Sequence, residues 1–121
     1  ILTSNKSDMS FINRLNEEID KNISDNNFSI ESLTDRLFIS RSNFQRKLKS
    51  ICGYTPGEYL RTYRLKKATQ LLLEDGMRIN EVAFEVGFSS ASYFTKCFVK
   101  QFGMLPKDFI KKHAGNQADE E

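Results

Sequence analysis

The 121-residue chain carries one pattern of apolar, glycine and proline residues twice, about fifty residues apart. Matching positions are separated by 49 residues before the middle of the pattern and by 50 after it, so the second copy has one extra residue in its central turn. The matching pairs are Ile30 and Ile79, Leu33 and Val82, Leu37 and Val86, Phe44 and Phe94, Leu48 and Phe98, Gly53 and Gly103, Pro56 and Pro106, and Tyr59 and Phe109. A repeat that keeps its core positions and varies its surface is typical of one supersecondary unit used twice. The fold must therefore contain two similar small units.

The spacing of apolar residues predicts helices and no strand. Over residues 9–23 apolar side chains recur every three or four positions, which is the period of one helix face, and Asp8 is the predicted N-cap of that helix. Thr55, Pro56 and Glu58 give the best local signal, since Thr at the N-cap, Pro at the first helical position and Glu three residues after the cap make a capping box. The chain is therefore predicted to be all-α.

These helices predict one domain with short extensions at both ends. A start at Ile1 rather than Met indicates a piece of a longer chain, and the acidic last residues are typical of a disordered end. The predicted segments are a linker over residues 1–7, a domain over 8–112 and a disordered tail over 113–121. Within the domain we predict a first helix pair at about 29–52, a connecting helix at about 56–74 and a second helix pair at about 79–102.

The net charge of +2 is unevenly distributed along the chain. Residues 41–67 hold eight basic side chains and one acidic one, and residues 96–112 hold five basic side chains and one acidic one. Both basic segments cover the second helix of a repeat and the residues that follow it, which is where a phosphate backbone would be met. Basic residues that only solvate exposed helix faces are the alternative. Because the two basic segments lie at equivalent places in the repeat, DNA binding is favoured over this alternative.

In the first copy, the second helix has one apolar side and one polar side. Phe44, Leu48 and Ile51 share the apolar side. The opposite side carries side chains that can recognise base edges, because Arg can fork onto guanine and Gln can pair with adenine. The base-contact candidates are Ser42, Gln45, Arg46 and Lys49, and the phosphate-contact candidates are Arg41 and Lys47.

The second copy has a plainer polar side. Phe94, Phe98 and Phe102 form its buried stripe together with Ala91. The base-contact candidates are Ser92, Thr95 and Lys96, and the phosphate-contact candidates are Lys100, Tyr93 and, from the connecting helix, Arg64. Tyr93 has a competing structural role, which is packing beside the turn. Fewer of these side chains can form two hydrogen bonds with one base. The second unit is therefore predicted to be less specific for DNA sequence and to bind mainly through phosphate contacts.

Residue types that bind metals or catalyse reactions are sparse. Cys52 and Cys97 stand alone without CxxC spacing, and His113 is the only histidine. A zinc site needs four nearby ligands, and lone thiols in helices are typical of small buried residues in a reducing cytosol. No apolar stretch approaches the roughly 20 residues of a membrane span. We therefore expect no metal, no cofactor, no catalytic residue, no membrane contact by this segment, and a cytoplasmic location.

Two longer motifs surround the repeated positions. The second copy carries Ile79, Glu81, Val82, Ala83, Gly87 and Phe88, then Tyr93, Phe94, Lys96 and Phe98, then Phe102, Gly103, Pro106 and Phe109. The first copy reads Ser-Arg-Ser-x-Phe-x-Arg-Lys-Leu-Lys over residues 40–49, followed by Gly53, Pro56, Tyr59, Leu60, Arg61, Arg64, Leu65, Ala68, Leu71 and Leu72. With these motifs, residues 8–112 resemble the DNA-binding domain of AraC/XylS-type transcription regulators. The motif over residues 40–49 also resembles the output domains of Bacteroides-type hybrid two-component sensors.

The resemblance implies a fold and a function. The implied fold has seven helices, with two homeodomain-like helix-turn-helix units joined by a long linker helix. The implied function is regulation of transcription, usually activation, with paired recognition helices in successive major grooves of double-stranded DNA. RNA polymerase is the implied partner, and an attached N-terminal region supplies the signal and the oligomerisation.

Two positions depart from the family's pattern. Arg78 and Leu105 stand where the family commonly has a Ser or Thr that caps a helix. A missing N-cap typically costs about 1 kcal/mol. Since both positions lie in the second repeat, we predict that this half frays first.

Two other interpretations remain open from the residues alone. The first is a helical protein-interaction module whose basic faces bind an acidic partner, although such a module does not need paired turns. The second is a methyl-accepting repair enzyme that uses Cys52 or Cys97, although neither thiol has a neighbouring His that could activate it.

Overall fold

The computed structural model describes residues 6–74 and 76–120, with side chains described up to Ala114. Over these residues the chain forms seven α-helices and no strand, so the predicted all-α, seven-helix fold is confirmed. The helices are α1 (Lys6–Lys21), α2 (Ile30–Leu37), α3 (Arg41–Cys52), α4 (Pro56–Leu72), α5 (Ile79–Glu85), α6 (Ala91–Phe102) and α7 (Pro106–Glu120). The chain divides into two compact units, residues 1–61 and 62–121.

The first unit packs α1 against α2 and α3. Its core has an aromatic contact between Phe11 and Phe44, whose rings meet edge to face with centroids 6.0 Å apart. Each fully buried Leu, Ile or Phe contributes roughly 1.5–3 kcal/mol by leaving water. The buried apolar residues of this unit are Phe11, Ile12, Leu15, Ile19, Phe28, Leu33, Leu37, Phe44, Leu48, Tyr59 and Leu60. This core holds α3 in place by its apolar side.

The second unit is built around a chain of aromatic rings. Phe94 contacts Phe88 at a centroid distance of 5.3 Å and Phe98 at 5.7 Å, and Phe98 contacts Phe109 at 5.7 Å. The buried apolar residues of this unit are Leu65, Ala68, Leu72, Val82, Ala83, Val86, Phe88, Phe94, Cys97 and Phe98. The rings tie α6 to the turn before it and to α7, so α6 is also held by its apolar side.

Serine side chains fix the starts of three helices. Ser29 caps α2 in a reciprocal capping box with Ser32, Ser40 caps α3 by accepting from the N–H of Asn43, and Ser90 caps α6 by accepting from the N–H of Tyr93. These bonds satisfy backbone donors that a helix leaves unpaired in its first turn. The second helix of each repeat, α3 in the first and α6 in the second, therefore begins at a defined residue.

The predicted capping box of α4 is present. The N–H of Glu58 donates to the Thr55 hydroxyl at 3.2 Å, and the N–H of Thr55 donates to the Glu58 carboxylate at 3.2 Å. The hydrogen bonds from Thr55 hold the pKa of the Glu58 carboxyl below its usual value, with smaller help from the positive charges of Lys49 and Arg61. The start of the connecting helix is thus specified by Thr55, Pro56 and Glu58, three residues within one turn.

Helix ends differ from the predictions in two places. Asp8 is not the N-cap of α1, because the helix begins at Lys6 and places Asp8 in its first turn. A carboxylate there still stabilises the helix, since it lies near the positive end of the helix dipole. The predicted disordered tail over 113–121 is also not observed over the described residues, since α7 continues to Glu120. His113 stacks on Phe109 with centroids 4.2 Å apart, and its Nδ1 lies 3.0 Å from the Phe109 carbonyl oxygen. Both contacts lie within α7, four residues apart along the helix.

Candidate nucleic-acid interface

The first helix-turn-helix consists of α2, a tight turn and α3. The turn passes through Phe38, which has a left-handed backbone conformation with φ 55°, and its N–H donates to the carbonyl oxygen of Asp35. In the second unit, Gly87 makes the corresponding turn with φ 92°. Left-handed conformations suit glycine and strain larger residues. The two units therefore place a positive-φ residue at matching positions of turns that differ in length, and the two residues have very different side chains.

The four base-contact candidates of the first unit lie together on the exposed side of α3. Ser42, Gln45, Arg46 and Lys49 are all exposed, whereas Phe44 and Leu48 on the opposite side are buried. This arrangement follows from the helical period. The structure thus places all four where a major groove could meet them.

Two of these candidates already have intramolecular partners. Arg46 donates from its guanidinium to the Oδ1 atom of Asn43, one turn earlier on α3. Lys49 donates from Nζ to the carbonyl oxygen of Gly53 at 3.0 Å. Both bonds are solvent-exposed, so their exchange for contacts with DNA costs little. They hold the two cations on the outer side of the helix.

The phosphate-contact candidates of α3 lie in different places. Arg41 is exposed in the first turn of α3. Lys47 is half-buried, with Nζ 5.0 Å from the centre of the Phe11 ring in a cation–π contact. Lys47 therefore lies on the α1 side of the recognition helix, away from the base-contact candidates.

An open groove of about 360 Å³ lies beside the exposed side of α3. Gln45, Arg46 and Lys49 line it together with Thr55 and Pro56 at the start of α4. The sequence did not indicate Thr55 or Pro56 as part of the interface. The signal that could have found them is Gly53, whose left-handed conformation (φ 80°) ends α3 and turns the chain back toward Lys49.

The second recognition helix, α6, exposes a different set of side chains. Ser92, Lys96 and Lys100 are exposed, and the Ser92 hydroxyl lies 3.0 Å from the hydroxyl of Ser90. Thr95 donates its hydroxyl to the Ala91 carbonyl oxygen at 3.0 Å, which occupies its donor within the helix. Val99, on the same side as Lys96, leaves 38% of its surface exposed. Side chains able to make two-point contacts with a base are scarce on this helix.

The remaining two candidates, Tyr93 and Arg64, are only partly exposed. The Tyr93 ring packs against Phe88 beside the turn at a centroid distance of 5.9 Å, and 49% of the residue's surface stays exposed. Arg64 lies half-buried on α4. The side chains of Tyr93 and Arg64 are thus both partly covered by the protein itself.

The described part of the chain offers little for other chemistry. No group of three or more His, Cys, Asp or Glu side chains in residues 6–74 and 76–120 could hold a metal ion. Cys97 is buried, and the thiol of Cys52 donates to the Leu48 carbonyl oxygen at 3.3 Å. No described helix is long and apolar enough to cross a membrane.

Solved structures with the same fold include DNA-binding domains. The chain is similar to the C-terminal domain of AraT, a response regulator from Geobacillus stearothermophilus, with a TM-score of 0.76 and 28% identity over 84% of each chain. It is similar to the DNA-binding domain of AdpA, a global transcriptional factor solved with a target DNA, with a TM-score of 0.77 and 25% identity, covering 92% of this chain and 96% of that one. A regulator with an AraC-type DNA-binding domain from Chromobacterium violaceum shares the fold with a TM-score of 0.81 and 24% identity, covering 91% of this chain and 97% of that one.

The sequence itself matches a family model described as a helix-turn-helix domain over residues 33–112. This range includes α2 from Leu33, all of α3 to α6 and the start of α7. The chain belongs to this helix-turn-helix family. It is an AraC-type helix-turn-helix DNA-binding domain.

Relatives of this AraC-type helix-turn-helix domain are longer proteins. The chain is 31% identical over 96 residues to histidine kinase P4 from Formosa agariphila, covering 79% of this chain and 7% of that protein. It is 39% identical over 82 residues to the HTH-type transcriptional regulator AlkR from Acinetobacter baylyi, covering 68% and 27%. It is 32% identical over 100 residues to the transcriptional activator AggR from Escherichia coli, covering 83% and 37%. The chain thus spans well under half the length of these relatives.

Proposed function

We propose that this domain binds double-stranded DNA in a sequence-specific way and regulates transcription, as an activator. In this proposal α3 and α6 enter successive major grooves, one helical turn of about 34 Å apart. The observation that carries the proposal is the exposed side of α3, where Ser42, Gln45 and Arg46 stand together on a helix fixed by its buried side. The DNA-bound structure of AdpA and the named activator AggR support the same function.

The first unit is the stronger base reader. Arg46 and Gln45 can each form two hydrogen bonds with one base, on guanine and adenine respectively. Lys49 lies beside them and can exchange its bond to Gly53 for a base or a phosphate. Arg41, in the first turn of α3, contacts phosphate next to the N–H groups of the helix start.

The second unit contributes mainly position and affinity. Lys96 and Lys100 are single-point donors, and the hydroxyl of Thr95 is already bonded within α6. Of the base-contact candidates on α6, Ser92 and Lys96 are exposed. Phosphate contacts by Lys100, Tyr93 and Arg64 would raise the affinity for all sequences alike. Lys47 would have to leave the Phe11 ring before it could join them.

The regulatory context proposed for the full-length protein is a hybrid two-component sensor. The alignment with histidine kinase P4, which covers 7% of that protein, and the similarity to AraT, a response regulator, support an output domain attached to a signalling region. In this context the protein acts in the cytoplasm, oligomerises through a region N-terminal to this domain and contacts RNA polymerase.

Selection of binding sites from random duplex DNA tests the main proposal. We expect two clusters of enriched bases about 10 base pairs apart, with the stronger cluster under α3. The affinity for the selected site should fall steeply between about 50 and about 200 mM salt, with a log–log slope near −0.9 for each phosphate contacted. A domain that binds no duplex even at the lower salt concentration is an interaction module instead, and stronger enrichment under α6 than under α3 contradicts the assignment of the first unit as the stronger base reader.

A further inference from the structure

The turn of the first helix-turn-helix exposes an aromatic ring in a strained conformation. Phe38 has φ 55°, and 92% of its surface is exposed, so its ring adds almost nothing to the core. Its partner in the repeat is Gly87, which adopts φ 92° without a side chain to strain. A strained and exposed aromatic residue where glycine would suffice points to a surface role.

The second unit exposes an aromatic ring at a different position of its repeat. Phe84, on α5, leaves 50% of its surface exposed, and the matching residue of the first unit is Asp35. Glu81 and Glu85 are exposed on the same side of α5, at the spacing of adjacent helical turns. Arg78, just before the helix, lies 3.9 Å from Glu81 but is almost fully in solvent. The surroundings of Phe84 are therefore acidic on balance.

The surroundings of Phe38 are basic. Phe38 lines a groove of about 380 Å³ between the start of α1 and the turn, and both charged side chains among its described lining residues are cations, Arg14 and Lys47. Arg14 is held by a 3.3 Å hydrogen bond from its guanidinium to the Leu37 carbonyl oxygen. Lys47 is held over the Phe11 ring at 5.0 Å. The cations are thus fixed at the wall of the groove.

We propose that the Phe38 groove of one molecule receives Phe84 of a second copy of this chain bound to the adjacent site on DNA. Glu81 and Glu85 of the second copy then face Arg14 and Lys47. The proposal rests on the function proposed above, in which one molecule covers two successive grooves. When two sites follow each other in the same direction, the second unit of one molecule is followed by the first unit of the next.

The proposed contact joins two different surfaces, so it is heterologous and requires sites in direct repeat. Two rings and four charges bury much less than the roughly 1,200–2,000 Å² of a stable interface. The contact should therefore be weak in solution and effective on DNA, where the two molecules are held at millimolar effective concentration. It should appear as cooperative filling of neighbouring sites.

Three duplexes test the proposal: one selected site, two sites in direct repeat on one face, and two sites in inverted repeat. Gel-shift titrations should show the second direct-repeat site filling about tenfold more tightly than the single site. Sites in inverted repeat should fill independently. Phe38→Gly, Phe84→Ser and the charge-reversed Glu85→Lys should each remove the tenfold gain and keep the single-site affinity. Leu105→Ala, which truncates another exposed apolar side chain of the second unit, should keep both.

The outcomes separate this inference from the proposed function. Absence of single-site binding by the unaltered domain overturns the proposed function and this inference with it. Normal single-site binding with independent filling of direct repeats overturns the inference alone. A loss of single-site affinity in Phe38→Gly, with an unchanged circular dichroism spectrum, shows that the groove faces DNA and also overturns it.

Discussion

Lys49 donates a hydrogen bond from its Nζ to the carbonyl oxygen of Gly53, 3.0 Å away, and so caps the helix from which it projects. The last carbonyl groups of a helix lack backbone partners and carry partial negative charge, so a cation there is favourable. Gly53 ends α3 in a left-handed conformation that brings this carbonyl within reach. A side chain predicted to read DNA is therefore also part of the structure that positions the reading helix.

Replacing Lys49 should affect both stability and DNA binding. We expect Lys49→Ala to lower the free energy of unfolding by about 0.5–1 kcal/mol, because the C-terminal carbonyl groups lose a charged partner. Urea unfolding measures this change. Arg46→Ala is the matched control, since Arg46 bonds only to the exposed side chain of Asn43, and it should leave stability nearly unchanged. Equal effects of the two substitutions on stability would contradict the capping role.

Arg46 and Lys100 should differ in how they affect recognition. Arg46→Ala is expected to cost about 1–3 kcal/mol of binding free energy and to relax sequence preference at one base pair. Lys100→Ala should weaken binding to all sequences similarly and reduce the salt slope by about one phosphate contact. Titrations against the selected site and its single-base variants, repeated at several salt concentrations, measure both. If the two variants behave alike, the assignment of α3 as the base-reading helix is wrong.

Arg78 begins α5 without a side-chain hydrogen bond, so a better cap should stabilise the second unit. We expect Arg78→Thr to raise the free energy of unfolding by about 1 kcal/mol, because the threonine hydroxyl can accept from a first-turn N–H. Amide hydrogen exchange should show the gain over residues 79–85. In the unaltered protein, residues 79–110 should exchange faster than residues 30–60, and equal or slower exchange would refute the prediction that this half frays first.

Phe38 should be a site where glycine is more stable than the natural residue. The left-handed conformation costs a residue with a Cβ atom roughly 1–2 kcal/mol, and glycine avoids this cost. Part of the gain is offset because glycine loses more conformational entropy on folding. Phe38→Gly should therefore raise the melting temperature modestly, by the equivalent of up to about 1 kcal/mol. Gly87→Ala, at the matching position with φ 92°, should lower it. A lower melting temperature for Phe38→Gly would mean that the ring makes a stabilising contact.

Tyr59 should make the first unit sensitive to alkaline pH. Burial is the main cause that raises the pKa of the Tyr59 phenol to about 12, and its hydroxyl donates to Asn16 Oδ1 at 2.6 Å. The unfolded phenol has a pKa of about 10, so the folded state holds the proton more tightly. This contribution is fully present below about pH 10 and is lost as the pH rises toward about 12. Urea unfolding at pH 8 and pH 11 should show a smaller loss of stability for Tyr59→Phe than for the unaltered protein, and an equal loss would contradict this assignment.

Features set by neighbouring residues could be predicted from the sequence. The capping box of Thr55 and Glu58 and the exposed side of α3 both depend on residues within one or two helical turns. Helix ends without strong local signals were less predictable, as Asp8 shows at the start of α1. Local physical chemistry therefore explains the order of the helices and the direction in which the recognition helices face.

Features that depend on distant contacts could not be predicted in this way. Lys47 is a surface cation by its helical position, and only the packing of α1 against α3 places it over Phe11. The left-handed conformation of Phe38 contradicts the preference of its residue type, so no local rule could indicate it. The bond from Lys49 to Gly53 likewise depends on the path of the chain after α3. The exposure of Ser42, Gln45, Arg46 and Lys49 could be predicted, but the intramolecular partners of Arg46 and Lys49 could not.

The missing cap at Arg78 has a consequence for how affinity changes with temperature. If α5 opens more readily than the rest of the domain, only the fraction of molecules with an ordered second unit can bind both grooves, and the apparent dissociation constant rises in inverse proportion to that fraction. Warming would deplete the ordered fraction while leaving the first unit competent. The domain would then change from binding DNA through both α3 and α6 to binding it through α3 alone. The residue at position 78, before α5, would set the temperature of this change.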